Sequence, residues 1–216
     1  MRGLTRLFKY FLGLVGLFVV LQALVRLFRR LVPFPVPAGV ARVLDLSAHE
    51  LGQARQQTLG RIGLKPGMKV LELGAGQGFL TIEAAHLVGP DGRLVAVDIS
   101  RELLDVTAEK VQQAGLQNVD LQVASTDCLP FPAGTFDLAF MATMLGAIAD
   151  KGRALREIRR VLKPNGRLSI TEAIADPDYM LMAEVVGWAN LVGFELVEQQ
   201  GNALLYTLNF VSLIGP

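Results

Sequence analysis

From Asp45 onward the rhythm of apolar positions along the chain changes repeatedly. Short, nearly unbroken apolar runs alternate with longer stretches in which apolar residues return every three or four positions. The first pattern fits a strand covered on both faces, the second an amphipathic helix. The runs predict strands over 68–73, 92–100, 118–125, 136–143 and 167–173, then a closing pair over 194–200 and 203–211 joined by Gly201-Asn202, a hairpin signal. Helices are expected over 47–63, with Ser47 as N-cap and Glu50 three residues on, then over 79–89, 100–115 and 151–162. A last helix is expected over 176–193, with Pro177 in its first turn. Strands alternating with helices imply an α/β fold: a doubly wound, mostly parallel sheet of seven strands.

The first 44 residues follow another pattern. Tyr10 to Val25 is a run of 16 residues without a charge, bracketed by Arg6 and Lys9 on one side and Arg26, Arg29 and Arg30 on the other. As a helix it would be about 24 Å long, a little short of the roughly 30 Å hydrocarbon core, and the flanking side chains could snorkel to both interfaces. Its polar positions fall on two sides of a helical wheel, which favours a spanning or deeply dipping anchor over an in-plane helix. A cleaved signal peptide is disfavoured by the Arg26–Arg30 cluster, which sits where a neutral cleavage region belongs. Prolines 33, 35 and 37 then mark a stiff linker. The expected organisation is an anchoring helix over 1–32, a linker over 33–44 and one domain over 45–216.

Charge supports that division. Residues 1–44 hold seven basic residues and no acid, which leaves the rest with 14 basic and 20 acidic residues. A basic, apolar head on an acidic body points to a lipid bilayer as partner, not to nucleic acid. The single cysteine, Cys128, excludes an internal disulfide and a multi-thiol metal cluster, and no His/Asp/Glu set shows ligand spacing.

The chemistry concentrates in "KVLELGAGQGFLT", residues 69–81. Gly74, Gly76 and Gly78 fall between a strand and a helix, but the third glycine arrives one residue too early for the dinucleotide fingerprint. Glu72 places a carboxylate beside the loop, where it repels a pyrophosphate and suits a cationic amine. Asp98 ends the second strand, the position from which a carboxylate reaches a ribose diol. The ligand these residues describe is a nucleoside with a positively charged appendage and no phosphate, a description that S-adenosylmethionine meets.

These segments, together with "VDIS", "LPFPAGTFD", "ALREIRRVLKPNGRLSITE" and "YTLNF", resemble the class I S-adenosylmethionine-dependent methyltransferases from about Leu64 to Phe210. The nearest subgroup is that of the ubiquinone/menaquinone C-methyltransferases. The resemblance implies a last strand inserted antiparallel beside the fifth. It also implies Glu72 near the methionine amino group, the backbone of Gly74, Ala75, Gly76 and Gly78 near the methionine and ribose, and Asp98 with Ile99 at the ribose. Members typically carry an acid four residues before the Leu of "LPF", where it meets the adenine amine. Here that position is Ser125, and Asp127 comes two residues later. Either Ser125 with the Thr126 backbone makes the adenine contact, or a shifted turn brings in Asp127.

Methyl transfer asks the protein mainly to align the acceptor and exclude water; a base is needed only if the acceptor must first lose a proton. Candidates are few: His49, Tyr179 and Tyr206 are weak ones, and His86 belongs on a solvent-facing helix surface. Met141, Met144, Leu145, Met180 and Met182 could form an adaptable apolar rim. No long insertion supplies a substrate lid, so the expectation is a shallow pocket completed by another surface. The expected function is therefore methyl transfer to a lipidic or quinone-like acceptor by a membrane-bound enzyme whose domain faces the cytoplasm, where S-adenosylmethionine is made. A soluble acceptor, or a non-catalytic cofactor-binding module of a membrane complex, are the alternatives.

Overall fold

The computed structural model describes residues 48–212 and, before them, the four helical positions Gly13, Gly16, Val20 and Leu24; over 48–54 it describes the backbone alone. The chain divides into two units, Met1–Phe34 and Pro35–Pro216, and every element from Ala48 onward belongs to the second. Apart from those four positions, the expected anchoring helix and the proline linker lie outside the described residues. Among the described residues no helix is long and apolar enough to cross a membrane.

The elements run α1 (Ala48–Ile62), β1 (Lys69–Leu73), α2 (Thr81–Val88), β2 (Arg93–Asp98), α3 (Arg101–Gln113), β3 (Val119–Val123) and β4 (Phe136–Ala142). A 3₁₀ turn (Leu145–Ala147) precedes α4 (Lys151–Val161), β5 (Leu162–Ala173), α5 (Met182–Leu191), β6 (Phe194–Asn202) and β7 (Leu205–Ser212). Seven strands form one sheet in the order β3-β2-β1-β4-β5-β7-β6. β7 lies antiparallel between β5 and β6, as expected, and the pairings among β1 to β5 are parallel. The strand order reverses between β1 and β4, so a crevice opens there at the carboxyl ends of the strands.

Both faces of the sheet are covered. On one, Leu71, Leu73, Met141, Ile170 and Phe210 pack against Leu155 and Ile158 of α4 and Val185 and Ala189 of α5. On the other, Val70, Leu94, Leu138 and Phe140 meet Leu59 and Ile62 of α1 and Ala84, Ala85 and Val88 of α2, with Ala96 against Leu104 of α3 beside them. Successive strand residues point to opposite faces. Glu72, alternating with Leu71 and Leu73, therefore shares the α2 face with Val70. Glu172, alternating with Thr171 and Ala173, shares the α4/α5 face with Leu168 and Ile170.

Three boundaries differ from the sequence expectation. The last helix starts at Met182, not near Pro177. The Asp176 carboxylate accepts the Asp178 N–H at 2.6 Å and so holds a turn, while Glu184 reaches back to the Leu181 N–H at 2.8 Å and fixes the start of α5 there. Hairpin β6–β7 turns at Ala203-Leu204, because the Asn202 side chain accepts the N–H groups of Leu204 and Leu205 and so closes the turn after itself. β5 begins directly at Leu162; the "KPNG" stretch is absorbed as an irregularity in its pairing with β4, with Asn165 in the left-handed region.

Candidate functional site

The glycine loop leaves β1 at Leu73 and returns into α2 at Thr81. Gly74, Gly76 and Gly78 all adopt positive φ (69°, 56° and 76°), a conformation costly for any residue with a Cβ. The loop's amides are bonded within the protein. Gly74 and Ala75 donate to the Val97 carbonyl at 2.8 and 3.1 Å, Gly78 to the Ala75 carbonyl at 2.9 Å, and Gly76 to the Asp98 carboxylate at 2.9 Å. Four amides that could have received a pyrophosphate are therefore engaged, which argues against a phosphate-bearing ligand by a route independent of glycine spacing.

Asp98 fixes the loop as well as the strand end. One of its oxygens accepts Gly76 N–H and the other Ser100 N–H, each at 2.9 Å. Each oxygen keeps a second lone pair for a ligand hydroxyl. Its neighbour Ile99 is 61% exposed, so most of its side chain is open to meet a ligand. Ala124 N–H donates to the Asp98 carbonyl at 3.1 Å, which joins the end of β3 to the same edge. The expected residues Glu72, Gly74, Ala75, Gly76, Gly78, Asp98, Ile99, Ser125 and Thr126 thus gather at the carboxyl ends of the adjacent strands β1, β2 and β3.

Glu72 is almost completely buried and one of its carboxylate oxygens has no partner. Burial pushes its titration from 4.5 to about 8; the Thr81 hydroxyl opposes that rise, and the nearby Asp98 and Glu83 charges add to it. Thr81 Oγ1, at the head of α2, is buried close enough to Glu72 to favour its ionised form but makes no full hydrogen bond. A neutral acid beside a hydroxyl that makes no full hydrogen bond is a place prepared for a cation with N–H donors, because such a group would supply both the missing charge and the missing bonds. The ammonium of a bound amino acid moiety fits that description.

At the expected adenine position the structure joins the two candidates. Ser125 Oγ donates to Asp127 Oδ1 at 2.5 Å, and Ser125 pairs with Cys128 across a narrow turn. The Asp127 carboxyl is held below its usual range, first by that hydroxyl and also by Arg153. Ser125 and Asp127 are therefore one hydrogen-bonded unit, and Thr126 between them is buried.

The weak base candidates fare differently. His49 lies in the first turn of α1, and its side chain is outside the described residues. His86 is exposed on α2. Tyr206 is completely buried, its hydroxyl donates to Met180 O at 2.6 Å, and burial drives its titration far above the usual phenol range, so it takes no proton at neutral pH. The Tyr179 hydroxyl donates to Ala203 O at 2.6 Å. Of the proposed apolar rim, Met141, Leu145 and Met180 are buried core residues, and Met144 and Met182 pack against the same cluster half-buried.

Sequence reasoning passed over Thr107 and Glu172, and it named Met144 only as part of an apolar rim. Thr107, fully buried on α3, donates to the Gly76 carbonyl at 2.9 Å and sits so close to Gly78 that a Cβ there would meet its methyl at 2.9 Å. Its signal was a small polar residue on the apolar side of a helix. Met144 covers Gly74, where a Cβ would lie 2.5 Å from its sulfur. Glu172 is buried at the end of β5 with neither oxygen partnered.

Residues 64–208 match the family described as "Methyltransferase domain". Among similar proteins is one named ubiquinone/menaquinone biosynthesis C-methyltransferase UbiE from Shewanella sp. (strain W3-18-1), 36% identical over 151 residues, which are 69% of this chain and 59% of that protein. The protein of the same name from Shewanella sediminis is 36% identical over 163 residues, 75% of this chain and 62% of its own length. The chain thus aligns with less than two thirds of these relatives. Among solved structures, an S-adenosylmethionine-dependent methyltransferase from Aquifex aeolicus superposes with a TM-score of 0.76 at 24% identity, covering 83% of this chain and 100% of that one. The [4+2]-cyclase SpnF superposes at 0.66 with 19% identity, covering 76% and 81% of the two chains, so the fold alone does not name the reaction. Family, sheet order and glycine loop agree: the chain belongs to the class I S-adenosylmethionine-dependent methyltransferases, and S-adenosylmethionine is its cofactor.

Proposed function

We propose that the chain methylates a lipidic, quinone-like acceptor while held at a membrane by its first 32 residues, with the domain on the cytoplasmic side. The buried Glu72, with a carboxylate oxygen that has no partner, beside a loop whose amides are already bonded is the observation that carries the cofactor assignment. In this reading the cofactor's ammonium meets Glu72 and Thr81, its ribose hydroxyls meet Asp98, Ile99 lies along the nucleoside, and the Ser125–Asp127 unit with Thr126 receives the adenine edge. When bound, S-adenosylmethionine supplies an activated methyl group. The chain's own residues orient the two reactants and keep water out.

Two features favour a lipidic acceptor. The similar proteins from Shewanella carry quinone C-methyltransferase names, and three exposed apolar residues stand near the carboxyl edge of the sheet: Ile174, Leu181 and Leu204. Ile174 N–H donates to Leu204 O at 2.7 Å, which holds the first and last of these side by side. The uncharged run from Tyr10 to Val25 with its basic flanks supports the membrane location.

Incubation of the full chain with methyl-labelled S-adenosylmethionine and either a membrane lipid extract or a soluble metabolite extract tests this. Label in a lipid that partitions into organic solvent is expected. Label confined to soluble products would replace the lipid acceptor with a soluble one, and cofactor binding without any label transfer would favour a non-catalytic module.

A further inference from the structure

Glu172 closes β5 on the sheet face opposite Glu72. It is 1% exposed, and neither of its carboxylate oxygens has a hydrogen-bond partner. A carboxyl buried without any bond is among the costliest arrangements a core can hold. The groups around it have other engagements. Tyr206, its register partner on β7, gives its hydroxyl to Met180 O. Tyr179 packs edge-on against Tyr206 at 5.9 Å and gives its hydroxyl to Ala203 O. Lys151 Nζ donates to the carbonyls of Gly146 and Ile148 at 3.0 and 2.7 Å.

The charges that act on Glu172 come from every side. Asp176 and Asp178 on the covering segment oppose its ionisation, while Lys151 and the Met180 backbone N–H, which falls short of a full hydrogen bond, favour it. Glu184 at the head of α5 acts on Tyr206 beside it and is bonded to Leu181 N–H. Burial first and Asp176 second raise its titration to about 8, near the pH at which a base is most useful.

Its position in the fold connects it with the cofactor loop. β4 lies between β1 and β5, and the chain leaving β4 places Met144 over Gly74 and then Leu145 in the apolar cluster that contains Met180 and Tyr206. Residues 174–181 cover the carboxyl from above. They press on the 3₁₀ turn so closely that a Cβ on Gly146 would lie 1.7 Å from the Asp178 carbonyl oxygen. Glu172 is thus a buried hydrogen-bonding group with no partner, one strand beyond the residue that overlies the glycine loop.

We propose that Glu172 is the acid–base group of the acceptor side: it receives the hydroxyl of a phenolic or enolic methyl acceptor when segment 174–181 shifts, and takes that hydroxyl's proton during transfer. This deepens the methyltransferase reading given above and rests on it. The acceptor O–H bond breaks and its proton passes to the Glu172 carboxylate. The freed electron pair, delocalised onto the ring or enol carbon, forms the bond to the methyl carbon. The sulfur–methyl bond breaks with its electrons staying on sulfur, so S-adenosylhomocysteine leaves. The proton displaced from the methylated carbon and the one on Glu172 both pass to water, one of them replacing the proton with which the product hydroxyl is restored.

The test uses the full chain loaded with S-adenosylhomocysteine and, as probe, a geranylated hydroquinone with an unsubstituted ring position. Infrared difference spectra should show a protonated buried carboxyl band that moves when the probe is added and is missing in Glu172→Gln. S-adenosylhomocysteine affinity should stay within twofold in that variant. Turnover on whichever acceptor the wild type labels should fall at least 100-fold, with loss of the acid limb of the pH–rate profile. Glu172→Asp, which keeps a carboxyl, should restore at least a tenth of turnover. A carboxyl band unmoved by the probe, or Glu172→Gln turnover within threefold of wild type, overturns the proposal. If the wild type labels no lipid, the lipid-acceptor reading fails by itself, and the infrared shift still decides the role of Glu172.

Discussion

Replacing Glu72 by Gln should stabilise the cofactor-free protein, and the size of the gain should depend on pH in a defined way. The carboxyl titrates at 4.5 in the unfolded chain and at about 8 in the fold. Below pH 4.5 both states hold the proton, so the residue creates no difference. Between pH 4.5 and 8 the unfolded chain ionises while the folded one stays protonated, and each pH unit lowers stability by about 1.36 kcal/mol. The loss reaches about 3 kcal/mol at pH 7 and about 5 kcal/mol at pH 8, after which both states are ionised. Gln keeps the shape and cannot ionise, so Glu72→Gln should lack this slope. Glu172 titrates over the same range, but it is present in both proteins and cancels from the comparison. Urea unfolding of both proteins from pH 4.5 to 8 measures the effect through the midpoints, with unchanged m-values. The two should coincide near pH 4.5 and separate by about 3 kcal/mol at pH 7. A separation that is the same at every pH would refute a neutral, buried Glu72.

Further expectations concern the loop. Asp98→Ala removes the acceptor for two backbone N–H groups, at Gly76 and Ser100, so it should lower unfolding stability by about 2–4 kcal/mol as well as weaken S-adenosylhomocysteine binding in calorimetry. A loss of affinity with unchanged melting would contradict this dual role. Gly78→Ala sets a Cβ 2.9 Å from the Thr107 methyl at a φ of +76°, and should cost about 1–2 kcal/mol or more in thermal unfolding. Thr107→Val deletes the donor to the Gly76 carbonyl while keeping the bulk, and should cost about 1 kcal/mol with a several-fold loss of cofactor affinity. In Ser125→Ala the Asp127 carboxyl should titrate higher than in the wild type, because its main stabilising donor is gone; an NMR titration that shows no rise would break the Ser125–Asp127 unit.

Much of the architecture was legible because it rests on strong local signals. The seven apolar runs, the glycine loop between a strand and a helix, and Asp98 at a strand end each follow from periodicity or from a conformation only glycine takes easily. What misled was punctuation that side chains overrode. Pro177 looks like a first-turn proline, yet Asp176 and Glu184 take the N–H groups that would have continued or started the helix. Gly201-Asn202 looks like the hairpin turn, yet Asn202 uses its side chain to move the turn two residues on. Glu172 was invisible for a different reason. In "SITEA" a glutamate reads as a polar residue facing solvent, and it is buried only because β7 pairs along the edge of β5 and segment 174–181 covers that end of the strand. Thr107 reaches the loop from α3, and Met144, expected only as an apolar rim residue, reaches Gly74 from the segment after β4, contacts across chain distances that no local pattern reports.

In the proposed reading, cofactor recognition turns on Glu72 being a neutral acid that receives a cation. Calorimetry with S-adenosylhomocysteine in two buffers of different ionisation heat measures that directly, since the arriving ammonium should ionise the carboxyl. Between pH 6 and 7.5 binding should release close to one proton per site, Glu72→Gln should bind more weakly with no such release, and NADH should not bind. Tight S-adenosylhomocysteine binding without proton release, or NADH binding at comparable strength, would contradict it.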